Sequence, residues 1–171
     1  MLYTTRLAFP EDEAAIIEVE VAASALFLTA GFPPLTGPLD HLSPATVQQG
    51  VRESRLWVAE NGANKVIGFA LAGTVDDNAH LFEIDVHPDH GRQGIGRRLI
   101  HQVEAWARAQ QHAMLTLTTF CTVPWNGPFY RRLGFHDLTT TQMGMDLSAM
   151  LRTEIAENTV DWMRCAMGKR L

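Results

Sequence analysis

The sequence predicts an α/β (α+β) domain built on a mixed sheet with helices on both faces. Two observations carry that prediction. Alternating apolar runs and 3.6-period runs follow one another as β-α-α-β-β-β-α-β-α-β, with a further helix and strand. The chain has 171 residues, 46% hydrophobic and 19% charged, which suits one domain with a real core.

The elements follow in order. Residues 1–8 read as a first strand. Pro10-Glu11-Asp12-Glu13 starts a helix with acidic residues at the positive end of its dipole. Ile16, Ile17, Val19, Val21 and Ala25 carry that helix to about residue 28, and Gly31-Phe32-Pro33-Pro34 ends it. Residues 31–43 form a loop rich in Pro and Gly. Ser43-Pro44 is an N-cap followed by a first-turn proline, so a second helix covers residues 44–53. Strands at 56–60 and 66–74 flank the hairpin turn Asn61-Gly62-Ala63-Asn64. Asp76-Asp77-Asn78 turns into a strand at 79–87. A helix over 94–110 sets Ile95, Leu99, Val103 and Trp106 on one face. A strand at 113–120, a short helix at 126–133 and a strand at 134–138 come next. Leu147, Met150, Leu151 and Ile155 mark a helix over 147–158, and 162–167 form a last strand.

Composition narrows the function. Net charge is −5, and the dense basic spots are confined to Arg92, Arg97, Arg98 and Arg131-Arg132, so nucleic acid is not an expected partner. No apolar run reaches the ~20 residues of a membrane helix, and the first residues lack the form of a signal peptide. The expectation is a cytoplasmic protein without membrane contact. The two cysteines, Cys121 and Cys165, make neither a disulfide framework nor a metal pair, and no metal is expected.

The densest signal is Val86-His87-Pro88-Asp89-His90-Gly91-Arg92-Gln93-Gly94-Ile95-Gly96-Arg97-Arg98. A strand runs into a Pro turn, then three glycines, then a helix. Glycine lets backbone N–H groups approach a ligand closely, and the helix adds its unpaired amides and dipole, giving an anion site suited to a pyrophosphate. A Walker loop would end in Gly-Lys-Ser/Thr, and the dinucleotide fingerprint has the reverse glycine spacing. The order Val-x-Pro, then Gly-x-Gly before a helix, resembles the acyl-CoA loop of the GNAT N-acetyltransferase superfamily. Gly91 stands where that family begins the loop with Gln or Arg, with Arg92 displaced by one. The segment Asn126-Gly127-Pro128-Phe129-Tyr130-Arg131-Arg132-Leu133-Gly134-Phe135 resembles the family's second signature, in the family's order. The likeness covers residues 2–138 and is weak from 139 to 171.

The resemblance implies one N-acetyltransferase domain over residues 1–171, with a mostly antiparallel sheet and a splay between strands 79–87 and 113–120. It implies acetyl-CoA as co-substrate, lying in that splay. Val86 would pair with the pantetheine arm. Arg92, Gln93, Gly94, Ile95, Gly96 and Arg97 would hold the pyrophosphate, with bulk excluded at Gly94 or Gly96. Asn126 and Phe129 would border the other side, and Tyr130 would protonate the departing sulfur. The bland alternative for Tyr130 is a helix-end aromatic with its hydroxyl in water. The base stays open between His80, Glu83 and a water chain. Alternation places His80, Phe82, Ile84 and Val86 on one face and Leu81, Glu83 and Asp85 on the other. His80 titrates near neutral pH but also reads as a turn-exposed histidine. Glu83 and Asp85 would be costly to bury unpaired, so they pair with Arg, line the cleft or face water. Cys121 reads as filler.

The acceptor reads as a primary amine on a small molecule or a protein. Residues 26–43 and 138–147 are the expected specificity region. The apolar run Leu26 to Leu35 is then a substrate wall, a lid on the core, or a contact with the second subunit of a homodimer. A rival reading from another class is a catalytically silent acyl-CoA-binding sensor or partner-binding module.

Overall fold

The computed structural model describes residues 3–29, 42–157 and 163–171. Most of the 26–43 specificity loop and Trp162 therefore lie outside the described residues. Seven strands form one mixed sheet in the order β1-β2-β3-β4-β5-β7-β6. They are β1 (Tyr3–Leu7), β2 (Leu56–Asn61), β3 (Val66–Val75), β4 (Asn78–Val86), β5 (Met114–Phe120), β6 (His136–Asp137) and β7 (Arg164–Arg170). The helices are α1 (Glu13–Thr29), α2 (Pro44–Arg52), α3 (Ile95–Ala109), α4 (Gly127–Arg132) and α5 (Met145–Glu157). The expected α/β class with a mixed sheet is what is found.

Two compact units make up the chain. The first comprises residues 3–29, 42–72 and 83–106, and the second residues 73–82, 107–157 and 163–171. In the first unit β1, β2 and β3 pair antiparallel, with Tyr3 opposite Asn61 and Leu56 opposite Leu71. Its core gathers Ile16 and Val19 of α1, Val47 of α2, and Leu56, Val58, Phe69 and Leu71 of the strands. Such apolar burial contributes roughly 1.5–3 kcal/mol for each large side chain. Ser43 caps α2 as expected, its hydroxyl accepting from the Thr46 amide at 3.1 Å. α1 starts later than expected, because Pro10–Asp12 forms a separate 3-10 turn. Asp12 turns inward there to accept from Arg6 at 2.7 Å and from the Phe9 amide at 2.7 Å.

In the second unit β4 and β5 run parallel. Their ladder covers three pairs, Ala79 with Leu115, His80 with Thr116 and Leu81 with Leu117. β4 itself continues to Val86. β5 pairs antiparallel with β7 from Met114–Arg170 to Phe120–Arg164. The last strand thus inserts between β5 and the two-residue β6. It also extends three residues past the expected end. Gly168-Lys169-Arg170 carries no strand-like apolar pattern, yet a Cβ at Gly168 would lie 2.9 Å from Met114 Sδ and 3.0 Å from Leu138 Cδ2. Close approach, not hydrophobicity, selects Gly168. The turn joining β3 to β4 uses Asp76 and Asp77 at φ 48° and 62°, the left-handed pair a tight hairpin needs. The Asp76 carboxylate then accepts from the amides of Asp146 and Leu147 at 2.9 and 2.8 Å, satisfying the first turn of α5.

Candidate active site

The glycine loop belongs to the first unit. Past Val86 the chain makes a 3-10 turn, Pro88–His90. The His87 amide donates to the Ile67 carbonyl at 2.9 Å, fixing the turn to β3. The amides of His90 and Gly91 fold back onto the carbonyls of His87 and Pro88 at 2.8 and 3.0 Å. Those donors are spent. From there the backbone changes character. Arg92 sits at φ 58° and Gly94 at φ 82°. A side chain is strained in this region, by roughly 1–2 kcal/mol for an ordinary residue. The first helical bond of α3 runs from the Arg98 amide to the Gly94 carbonyl at 3.1 Å. The amides of Ile95, Gly96 and Arg97 precede it, in the first turn of α3, where N–H groups have no intrahelical partner. They present an anion cradle at the positive end of α3.

Gly94 is needed for its backbone and for space. A Cβ there would come within 3.3 Å of the Tyr3 hydroxyl and 3.7 Å of an Arg97 guanidinium nitrogen. Gly96 lies inside α3 and takes no positive φ. The demand for a left-handed backbone therefore falls on Gly94 and not on Gly96.

The same unit holds the carboxylates. Burial pushes the Asp85 carboxyl well above the usual carboxylate range, and the charges of Glu83 and of Glu20 on α1 push it further. Glu20 is itself buried and accepts the Leu42 amide on both oxygens, at 3.0 and 3.1 Å. The charges acting on Asp85 are thus carboxylates. Such a site favours a proton or a cation.

The second unit holds His80, Asn126, Phe129 and Tyr130. His80 is 1% exposed, which rules out the turn-exposed reading. Its Nδ1 lies 2.8 Å from Thr116 Oγ1, and that hydroxyl donates to the Ala79 carbonyl at 3.1 Å. A hydroxyl has one hydrogen, so Thr116 accepts from His80 Nδ1–H, and the ring is the neutral Nδ1–H tautomer. Burial holds the His80 pKa down at about 4. The Phe82 ring meets the imidazole edge-on at 4.9 Å.

α4 is placed by close backbone contact. A Cβ on Gly127 would lie 2.3 Å from the Cys121 carbonyl oxygen, so only glycine admits the helix start at that point. Arg131 donates to the same carbonyl at 3.0 Å and forks onto Asp137 at 2.8 Å. Asn126 Nδ2 donates to Thr119 Oγ1 at 3.0 Å, while its buried Oδ1 has no hydrogen-bond partner among the described residues. An orphaned buried acceptor costs about 1–3 kcal/mol until a donor reaches it. Tyr130 is buried, with Phe129 and Phe135 at 5.3 and 5.7 Å between ring centres, so its ring is not the solvent-exposed helix end of the bland reading. Cys121 and Cys165 are free thiols. Burial raises the Cys165 pKa, and a hydrogen bond with Cys121 raises it further.

The family model for the acetyltransferase (GNAT) domain matches residues 52–137, half of the chain. The chain belongs to the GNAT acetyltransferase family. The ribosomal protein bS18-alanine N-acetyltransferase of Escherichia coli K12 is 34% identical over 91 residues, which are 53% of this chain. The match with the Shigella flexneri protein of that name has the same extent. The chain spans about 60% of the length of these curated relatives. Among solved structures, the PaiA N-acetyltransferase from Thermoplasma acidophilum in complex with coenzyme A has a TM-score of 0.75 at 15% identity, over all of both chains. The Escherichia coli ribosomal-protein-S18-alanine N-acetyltransferase has a TM-score of 0.66 at 21% identity, over 99% of this chain and 94% of that one. These likenesses show the GNAT fold.

The GNAT match takes in the glycine loop, β5 and α4, and leaves out β1, α1, α5 and β7. Tyr3 and Glu20, which the structure brings to the loop and to Asp85, lie in the part left out. Sequence reasoning missed both, since neither sits in a motif and each meets its partners through chain pairing.

Proposed function

We propose that this GNAT protein is an acetyl-CoA-dependent N-acetyltransferase with one catalytic domain over residues 1–171, acting on a primary amine by direct attack. The observation that carries the reading is the cradle at Gly94, where a left-handed glycine precedes three helix-start amides. The residues present fit acetyl-CoA. Gln93 to Arg97 suit its pyrophosphate, with Arg92 and Arg97 adding charge. β4 runs on to Val86 beyond its ladder with β5, which suits a pantetheine arm that pairs like an added strand. The orphaned Asn126 Oδ1 suits an amide N–H of that arm, with Phe129 beside it.

Acetyl-CoA supplies an activated acetyl thioester. The protein's residues do the rest. A primary ammonium with a pKa of about 10.4 must first lose a proton. We assign this step to the Glu83–Asp85 pair in preference to His80. A carboxyl lifted by burial and by neighbouring charge is a stronger base than usual. His80 is buried, committed to Thr116 and lowered to about 4, which makes it a weak base and a structural group. The amine nitrogen bonds to the carbonyl carbon as the carbon–sulfur bond breaks. A strand amide stabilises the charge growing on oxygen. Tyr130 would give its phenolic proton to the leaving sulfur and be restored by the second proton that the attacking nitrogen gives up, leaving a neutral amide and free CoA.

The acidic body and the soluble acceptor classes favour a cytoplasmic enzyme that needs neither nucleic acid nor membrane. The curated relatives act on an alanine of a ribosomal protein, so protein amines belong on the panel beside small amines and amine antibiotics. Thiol release from acetyl-CoA against that panel, alongside a CoA titration, tests the reading. Turnover on one amine class supports it. Tight CoA binding with no turnover on any amine supports a silent binding module instead. Once an amine is found, Glu83→Gln and Asp85→Asn should flatten the acidic limb of the pH–rate profile, whereas His80→Gln should leave the limb in place.

A further inference from the structure

Tyr3 stands at the start of β1, ninety residues from the loop, yet its hydroxyl donates to the Gln93 carbonyl at 3.1 Å. That carbonyl belongs to the same planar peptide as the Gly94 N–H. In a trans peptide the two point in opposite directions, so holding the carbonyl on Tyr3 turns the Gly94 N–H away from β1. Glycine makes the hold necessary. At φ 82° Gly94 is in a conformation that only glycine enters freely, and glycine leaves it as freely by a flip of the preceding peptide. A flipped peptide would set a carbonyl oxygen where the loop needs a donor. The Tyr3 ring is braced in turn by the Arg98 guanidinium, stacked 5.5 Å above it from the first turn of α3.

We propose that Tyr3 is a positioning residue for acetyl-CoA: its hydroxyl latches the Gln93–Gly94 peptide so that the Gly94 N–H is presented to the pyrophosphate. The inference rests on the reading of residues 92–97 as the pyrophosphate site. The latch is remote in sequence and local in space, and it acts on one peptide plane. It costs little when the site is empty, because a half-exposed tyrosine hydroxyl exchanges water for a carbonyl.

The test uses the full chain, with CoA as the probe. Tyr3→Phe keeps the ring and its Arg98 contact and removes only the hydroxyl. CoA affinity is measured by calorimetry, and the Gly94 amide is followed in ¹⁵N–¹H spectra with and without CoA. The latch predicts a three- to tenfold weaker CoA affinity in Tyr3→Phe. It also predicts that the CoA-induced downfield shift of the Gly94 amide, present in the parent, is reduced or broadened away. Gly94→Val serves as the control on the loop itself. If Gly94→Val loses affinity and Tyr3→Phe binds as the parent does, the loop reading stands and the latch is wrong. If Tyr3→Phe loses affinity but its Gly94 amide shifts as in the parent, Tyr3 acts through the strand and the latch is again wrong. If both variants bind CoA like the parent, the loop reading falls and the latch with it.

Discussion

Replacing His80 with glutamine removes an imidazole that this fold holds neutral by burial, and the consequence can be worked through. In the unfolded chain His80 titrates near 6.5; in the folded chain burial lowers it to about 4. Between those values the unfolded chain binds a proton that the folded chain refuses. His80 therefore contributes stability that is fully present above pH 6.5, declines as pH falls, and is gone below pH 4. The shift corresponds to about 3 kcal/mol over the whole window, with little solvent screening because the ring is 1% exposed. Asp85 works the other way. Its folded-state pKa is raised, so on acidification the folded chain takes up that proton before the unfolded one does, and stability is gained. The parent's pH curve mixes the two effects. The difference between parent and His80→Gln isolates the imidazole, since Asp85 is common to both. Urea unfolding from pH 7.5 to pH 4.5, followed by tryptophan fluorescence, measures that difference. The parent's advantage should shrink by about 2–3 kcal/mol across that range. Parallel curves for the two proteins would mean that His80 titrates as an exposed histidine does, and the buried Thr116 pairing would be refuted.

Three further outcomes are expected. Gly94→Val should weaken CoA binding by at least tenfold, about 1.4 kcal/mol, measured by calorimetry on protein shown to be folded; unchanged binding would remove residues 92–97 from the site. Tyr130→Phe keeps the ring packed between Phe129 and Phe135 and should lower the turnover number by roughly tenfold to a thousandfold, with CoA affinity unchanged. A parental rate on a confirmed amine would show that the phenol is not the acid. Cys121→Ser should retain activity, and thiol titration of native and denatured protein should count two free thiols with or without reductant; a trapped acyl-enzyme in the parent would contradict this.

Much of the fold was legible because its signals are local. Ser43-Pro44 caps α2, Asn61 to Asn64 turns the first hairpin, and the apolar runs of β2 and β3 are too plain to misread. The insertion of β7 between β5 and β6 was not legible, because strand order is set by long-range pairing and Gly168-Lys169-Arg170 has no strand pattern. The candidate site divides the same way. Gly94 and Tyr130 announce themselves through spacing. The burial of His80 does not, since alternation assigns a face but not a depth. His80 shares its face with Phe82, which is 40% exposed, while His80 itself is sealed against Thr116.

The site residues that sequence missed have a common physical origin. Tyr3 and Glu20 come from β1 and α1, and each meets a group of the β4–α3 segment that glycine or like charge leaves under-determined. At Gly94 the backbone has two allowed peptide orientations, and a hydroxyl from β1 selects one. At Asp85 the carboxyl has two protonation states, and a carboxylate from α1 shifts the balance between them. A motif records the residue that must be permissive, glycine or carboxylate, because permissiveness is a property of that residue alone. The residue that decides among the permitted states needs only to arrive at the right distance, so it leaves no pattern in the chain. For this protein the deciding groups lie upstream of residue 52, where the family match begins. Substitutions in β1 and α1 should therefore tune cofactor affinity and the acidic limb of the rate while leaving the recognisable loop untouched.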